Sequence, residues 1–297
     1  MHLSIHNAPV RTTIVIPAYN EEQCIRSVAE RAKEYLGQHH RDADIIIVDD
    51  GSTDRTAEVA RGIPGVSVIS HPMNKGYGAA IKTGMRAAKT EWCITYDADN
   101  QHQPESLLPL LEKISEQTDL VIGVRKGYKG PIIRQPGKRL IGLIANYLTE
   151  TKIPDFNSGL RAFRRTVFLQ YEHLFPNGFS LSTTSTICFL KQGHSVAYCP
   201  IAIRQRTGKS TVRLRDALKT LMLVIRLTML FSPLRVFLPA SVLCGLLGLA
   251  LLVQGLYIDR NISDSTVVLI LFATILFFFG LLSDQIAAIR REIHVRK

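Results

Sequence analysis

The sequence predicts an α/β domain built on a mostly parallel sheet, followed by a helix along the membrane interface and a two-helix transmembrane hairpin. Three observations carry that prediction. Short β-branched runs alternate with helix-like stretches as far as residue 124. Beyond about residue 215, apolar residues crowd together. Residues 236–257 (VFLPASVLCGLLGLALLVQGLY) run for 22 positions without a charge, and residues 267–282 add a second uncharged run of 16. A bilayer core needs about 20 apolar residues as helix.

The elements follow in order. Residues 12–16 (TTIVI) read as a strand and 21–36 as a helix. Residues 44–48 (DIIIV) are a second strand, with a helix starting near Asp54, which can cap it. Residues 66–70 form a third strand and 77–89 the helix after it. Residues 93–96 (CITY) form a fourth, followed by a helix from Pro104, where proline suits the first turn. Residues 120–124 are a fifth. Strands apolar on both faces and separated by helices belong to a covered, mostly parallel sheet. Ligands of such sheets bind beyond the carboxyl ends of strands, where Asp49-Asp50 and Asp97-Ala98-Asp99 both fall.

The chain divides into residues 1–210, a basic amphipathic stretch at 211–235, and residues 236–297, with spans at about 236–257 and 266–288. In 211–231 the charges Arg213, Arg215, Lys219 and Arg226 interleave with apolar residues, the pattern of a helix lying in the interface. Arg290, Arg291, Arg296 and Lys297 follow the second span, whereas the loop between spans has one Arg and two Asp. The positive-inside tendency therefore puts both termini in the cytoplasm. Residues 1–11 lack the apolar segment of a signal peptide, so the N-terminal domain is expected there too. The net charge of +11 suits an anionic membrane surface and anionic substrates; given the hairpin, nucleic acid is not an expected partner. The five cysteines show no CxxC spacing and read as reduced core thiols, neither a metal site nor a disulfide framework.

Four segments carry the chemistry. They are residues 16–22 (IPAYNEE), 48–54 (VDDGSTD), 74–80 (NKGYGAA) and 97–102 (DADNQH). Two carboxylates one residue apart at a strand end can hold a divalent cation against a diphosphate, although Asp-x-Asp alone describes many solvated loops and helix caps. Gly76-Tyr77-Gly78 is no dinucleotide fingerprint, because Ile81 stands where the third glycine belongs. Gly208-Lys209-Ser210 is no P-loop, because Ile203 stands five positions before Gly208.

Together, in this order and spacing, these segments resemble the family 2 glycosyltransferases of GT-A, Rossmann-like fold, over about residues 10–210. The hairpin, the basic stretch before it and residues 155–161 (DFNSGLR) narrow the resemblance to the polyprenyl-phosphate branch, which includes dolichol-phosphate mannose synthases and undecaprenyl-phosphate sugar transferases. The resemblance implies that Pro17, Tyr19, Glu21 and Asp50 hold the nucleoside, with Asp50 the better candidate of its pair for the base. Asp97 would face ribose or metal, Asp99 the metal, and Gln101 would be a further metal ligand, with His102 structural. Oxygen ligands suit Mg2+ or Mn2+. Arg206 and Lys209 would cover the donor diphosphate, and with Arg204 they are further candidate cations for the acceptor phosphate. Arg125 and Arg134 rank first for the acceptor phosphate, followed by Lys138, Arg139 and Arg161, since arginine matches phosphate in one plane. Asp155 matches a catalytic carboxylate, but a phosphate nucleophile, with a second pKa of about 6, needs little help from a base.

The expected reaction is inverting transfer of one sugar from a UDP- or GDP-sugar to undecaprenyl or dolichyl phosphate, at the cytoplasmic face of a bacterial inner membrane. The lack of a Gln-x-x-Arg-Trp motif, with Trp92 the single tryptophan, argues for single transfer over processive synthesis. Other acceptors, or a membrane scaffold without activity, are the competing readings; Asp50, Asp97, Asp99 and Asp155 together weigh against the scaffold. Two spans are few for moving a lipid-linked sugar, so a separate flippase is expected as a partner. Assembly into a homo-oligomer is left open.

Overall fold

The computed structural model describes residues 11–125, 143, 146–147, 150–155, 158–202, 222, 226, 229–259 and 261–292. The chain separates into two compact units, residues 1–212 and 213–297.

In the first unit, β1 (Thr12–Ala18), β2 (Ala43–Asp49), β3 (Val66–Ser70) and β4 (Trp92–Thr95) are the expected strands, extended or shifted by one or two residues. All seven β1 residues are buried, as a central strand of a covered sheet requires. Between these strands come α1 (Ile25–Gln38), α2 (Thr56–Arg61) and α3 (Tyr77–Ala87). Helix α1 begins four residues later than the sequence suggests, because Glu21 O first accepts from the N–H groups of Cys24 and Ile25 in a turn. Its buried residues Ile25, Val28, Ala29, Ala32 and Leu36 recur at helical spacing along one stripe. Pro104 opens a 3-10 turn (Pro104–Ser106) before α4 (Leu107–Glu112).

β5 (Leu120–Arg125) is followed by β6 (Arg161–Arg164), α5 (Arg165–Tyr171), α6 (Leu181–Lys191) and β7 (Val196–Ile201). The seven strands form one sheet in the order β3-β2-β1-β4-β6-β5-β7. β6 runs antiparallel to β4 and β5, and every other pairing is parallel. The carboxyl ends of β1, β2 and β4 thus lie side by side, with Ala18 in register with Asp49.

In the second unit, α7 (Leu234–Gln254) leads through a π-helical turn (Gly255–Asp259) to α8 (Asp264–Glu292). Two apolar stretches of 25 and 27 residues result, Leu234–Ile258 and Asp264–Arg290. At 1.5 Å per residue each exceeds the roughly 30 Å of a bilayer core. Ser241 Oγ donates to Ala273 O at 2.8 Å, Gly248 lies against Ile270, and Gly280 lies against Phe237, so small residues let the two backbones approach. Large side chains such as Leu243, Leu246, Phe272 and Phe278 are exposed. The basic stretch at 211–231 lies largely outside the described residues.

Candidate active site

The loops after β1 and β2 are stitched into one surface. Asn20 adopts φ 56°, a left-handed conformation that asparagine tolerates, and its Oδ1 accepts from Thr53 N at 2.9 Å. Asn20 N donates to Ser52 Oγ at 3.0 Å and Glu21 N to Thr56 Oγ1 at 2.8 Å. Tyr19 stands 44% exposed at the tip of this surface, and Glu21 is half-buried. Pro17, expected at the nucleoside, lies buried within β1 near its carboxyl end.

Asp50, expected at the base, is enclosed. It is 3% exposed, and its carboxylate already has three donors. His71 Nδ1 (2.7 Å) and Lys75 N (2.9 Å) reach Oδ1, and Gly76 N (2.8 Å) reaches Oδ2. His71 Nε2 in turn meets Thr83 Oγ1 at 2.9 Å, which fixes the imidazole between strand and helix. A carboxylate so enclosed anchors the 71–76 loop.

After β4 the chain turns through Asn100, at φ 58°. Asp97 keeps a quarter of its side-chain surface exposed. Tyr77 Oη donates to Asp97 Oδ1 at 2.8 Å and His102 Nε2 to Oδ2 at 3.2 Å. A Cβ at position 159 would stand 2.3 Å from Asp97 Oδ2, so Gly159 makes the room this carboxylate occupies. Burial pushes the Asp97 pKa up, but His102, then Tyr77 and the Arg125 charge, outweigh it and hold the carboxyl below its ordinary value. Burial first, then the charge and hydrogen bond of Asp97, keep the Tyr77 phenol well above its usual pKa, so it remains a donor. Asp99 is exposed and accepts from Gln101 N at 3.1 Å and Gln101 Nε2 at 2.6 Å. Neither Tyr77 nor His71 was singled out from sequence. The one signal was that Tyr77 falls within the 74–80 segment; His71 had none.

The donor set can be tested against a divalent cation. Among the described residues no group of three or more His, Cys, Asp or Glu side chains stands ready to hold a metal. Asp97 and Asp99 supply two hard carboxylates. Gln101 presents its amide nitrogen to Asp99, so it would join a shared ion only with the amide turned over. One or two carboxylates, with remaining positions left to substrate phosphates and water, is how Mg2+ is commonly bound. These residues fit such an ion, and His102, engaged with Asp97, acts from behind.

At the end of β5, Arg125 and Asp155 form a two-pronged ion pair. Arg125 Nε and Nη2 donate to Asp155 at 2.6 and 2.8 Å, with the side chains 18% and 14% exposed. The residue ranked first for the acceptor phosphate thus sits on the residue read as a catalytic carboxylate. Arg161, expected at the acceptor phosphate, has its guanidinium buried. It is 1% exposed, and its guanidinium donates to Ser158 O, Ser182 O and Thr186 Oγ1, each at 2.7 Å. Burial pulls its pKa down to about 10 against the charge of Asp155, and it stays protonated at neutral pH. Arg161 ties β6 to the Ser/Thr-rich start of α6. Arg134, Lys138, Arg139, Arg204, Arg206 and Lys209 lie outside the described residues.

A family model described as Glycosyl transferase family 2 matches residues 13–171, and one described as GtrB C-terminal hairpin matches residues 232–289. The undecaprenyl-phosphate 4-deoxy-4-formamido-L-arabinose transferase of Pseudomonas fluorescens is 32% identical over 189 residues, 59% of this chain and 55% of that protein. The transferase of the same name from Pectobacterium carotovorum is 34% identical over 160 residues, 52% of this chain and 49% of that one. The chain spans about half the length of the curated relatives it matches. Among solved structures, glucosyl-3-phosphoglycerate synthase from Mycobacterium tuberculosis, in complex with Mn2+, UDP and phosphoglyceric acid, aligns with a TM-score of 0.58 at 21% identity over 74% of this chain and 78% of that one. Mannosyl-3-phosphoglycerate synthase from Rubrobacter xylanophilus aligns with 0.59 at 20%, over 74% and 72%. These likenesses show the fold, a GT-A sheet.

Proposed function

Because the chain belongs to glycosyl transferase family 2, we propose that it transfers a single sugar, with inversion, from a nucleotide-sugar to a polyprenyl phosphate. The observation that carries this reading is one chain that joins the strand-end carboxylates Asp97 and Asp99 to two apolar helices long enough to span a membrane. The relatives named for undecaprenyl phosphate support the acceptor. The catalytic unit and both termini face the cytoplasm in this reading, on the strength of the flanking positive charge.

Asp97 and Asp99 would hold a divalent cation, which when bound neutralises the diphosphate leaving group. Asp97 stays ionised for this task, its two oxygens steered by Tyr77 and His102. A phosphate oxygen of the acceptor forms the new bond to the anomeric carbon as the bond to the diphosphate oxygen breaks, and the electron pair leaves with the nucleoside diphosphate. A phosphate monoester with a second pKa of about 6 is largely ionised already, so no proton need be removed. The engagement of Asp155 by Arg125 agrees with that, since a carboxylate held by a guanidinium is a poor base.

The direct test is a screen of UDP- and GDP-sugars with undecaprenyl phosphate and Mg2+ or Mn2+. The expected product is a lipid-linked sugar released by mild acid, as a sugar phosphodiester is. No transfer from any donor sinks the reading, and an acid-stable product points to a different lipid acceptor.

A further inference from the structure

Tyr77 opens α3 within the 74–80 segment, and the roles drawn from the resemblance leave it out. Its hydroxyl takes Asp97 Oδ1 at 2.8 Å while His102 Nε2 takes Oδ2, so each carboxylate oxygen has one side-chain donor. On the side of Gly159 there is no space for the carboxylate to retreat.

What holds Tyr77 there is unusual. Phe179 stacks on its ring, with centroids 5.0 Å apart and planes 21° from parallel. Phe179 is 81% exposed, so the hydrophobic core does not account for its position. The segment that carries it is fastened to α3. Asn177 O accepts from Gly78 N at 2.7 Å and Ala79 N at 3.2 Å, and Lys82 Nζ donates to Phe175 O and to Asn177 Oδ1. Gly76, at φ 100°, allows the close approach, since a Cβ there would stand 2.5 Å from Asn177 O. The first turn of α3 and the 175–179 segment therefore form one docked piece that presents a hydroxyl to Asp97 on one side and a bare aromatic face on the other.

We propose that Tyr77 is a positioning residue that fixes the Asp97 carboxylate, and that Phe179 holds Tyr77 in that position as an aromatic cover. The inference rests on the reading of Asp97 as a donor-site carboxylate. Partners of this kind behind a metal-binding carboxylate are commonly worth roughly 10–100-fold in metal affinity or activity.

Three variants of the full chain separate the contributions. Tyr77→Phe removes one oxygen and keeps the stack. Phe179→Ala removes the cover and keeps the hydroxyl. Phe179→Trp restores a ring face. Each is measured for transfer kinetics with the donor found in the screen, and for Mn2+ binding by electron paramagnetic resonance with UDP and, in parallel, GDP. The expected result for Tyr77→Phe is a kcat and a Mn2+ affinity each lower by roughly tenfold or more, with donor KM little changed and unfolding temperature unmoved. Phe179→Ala shifts both in the same direction by less, and Phe179→Trp returns them toward wild type. In an Asp97→Asn background, Tyr77→Phe adds no further loss. A Tyr77→Phe enzyme equal to wild type in kcat and Mn2+ affinity overturns the inference, as does a loss that appears only as lowered stability. Failure of the underlying reading looks different, because it shows in the wild-type protein as no transfer and no Mn2+ binding.

Discussion

Replacing Arg125 with methionine leaves Asp155 without its guanidinium. Methionine keeps the apolar stem and removes the donors 2.6 and 2.8 Å from the carboxylate. With only 14% of its side chain exposed, Asp155 keeps the Arg125 backbone N–H at 3.4 Å, its other contacts and the charge of Arg161, but loses the guanidinium that pairs with it directly. Breaking a buried pair by removing one partner costs about 3–5 kcal/mol. The residual exposure and remaining contacts put the expectation near the bottom of that range, about 3 kcal/mol. For a domain of this size, roughly 2–4 °C of Tm is lost per kcal/mol, so the midpoint should fall by roughly 6–12 °C. Trp92, the single tryptophan, is buried in β4 of the same sheet, and its fluorescence reports this unit and not the hairpin. Adding Asp155→Leu removes the stranded charge, and the double variant should regain most of the loss, since apolar replacement of a buried pair is often neutral. The reasoning is refuted if R125M melts with wild type, or if R125M/D155L melts no higher than R125M.

Other outcomes follow from the same geometry. Asp97→Asn and Asp99→Asn each weaken leaving-group stabilisation worth several kcal/mol, and should lower kcat by roughly a hundredfold or more in the lipid-linked sugar assay, with folding intact by tryptophan fluorescence. Burial raises the Asp54 pKa, but hydrogen bonds from the Thr56 hydroxyl and N–H and the Glu22 N–H outweigh it, and the folded value is lowered. Its contribution is therefore present above the unfolded pKa of about 3.9 and lost as pH falls through the depressed folded value. Asp54→Asn should narrow the gap between acid and neutral melting temperatures, and an unchanged gap contradicts it. Burial pushes the Cys93 thiol up to about 12 and Cys199 up to about 11. Both should resist iodoacetamide at pH 8 in the native state and react after unfolding, as read by peptide mass spectrometry.

The strands legible in the sequence were those whose pattern needs no tertiary knowledge. β1 to β5 are β-branched runs bounded by turn residues, and the hairpin helices are long uncharged stretches. β6 and β7 were missed for physical reasons. β6 is only Arg161–Arg164, with arginine at each end, and reads as surface. The sequence cannot show that α6 brings a carbonyl and a hydroxyl to Arg161, which is what permits a buried guanidinium. β7 contains Pro200, which argues against a strand unless the strand lies at an edge, and β7 is the last in the sheet order. At the site, the sequence located the carboxylates and the nearby Gln101 and His102, but not the pairings of Tyr77 with Asp97, His71 with Asp50 or Arg125 with Asp155, because a hydrogen bond between residues 20 or 30 positions apart has no local signature.

Asp50 and Asp97 make this concrete. Both follow parallel strands at the same edge of the sheet, and residue type alone assigns both to the donor. Two of Asp50's three donors are backbone N–H groups, from Lys75 and Gly76, and such donors cannot move without moving the chain. Among the described residues Asp97 is held only by side chains, in Tyr77 and His102, and with about four lone-pair sites it keeps acceptor capacity toward its exposed quarter. The first carboxylate is therefore fixed to the loop backbone, and the second keeps an exposed side. They are also linked through the chain. Asp50 fixes the amides of Lys75 and Gly76, the next residue is Tyr77, and Tyr77 steers Asp97. An Asp50→Asn variant turns an amide N–H toward one of three existing donors. It should thus weaken transfer through the placement of Tyr77, and adding Tyr77→Phe should then cost less than it does in the wild-type chain. Full additivity of the two losses would sever the link.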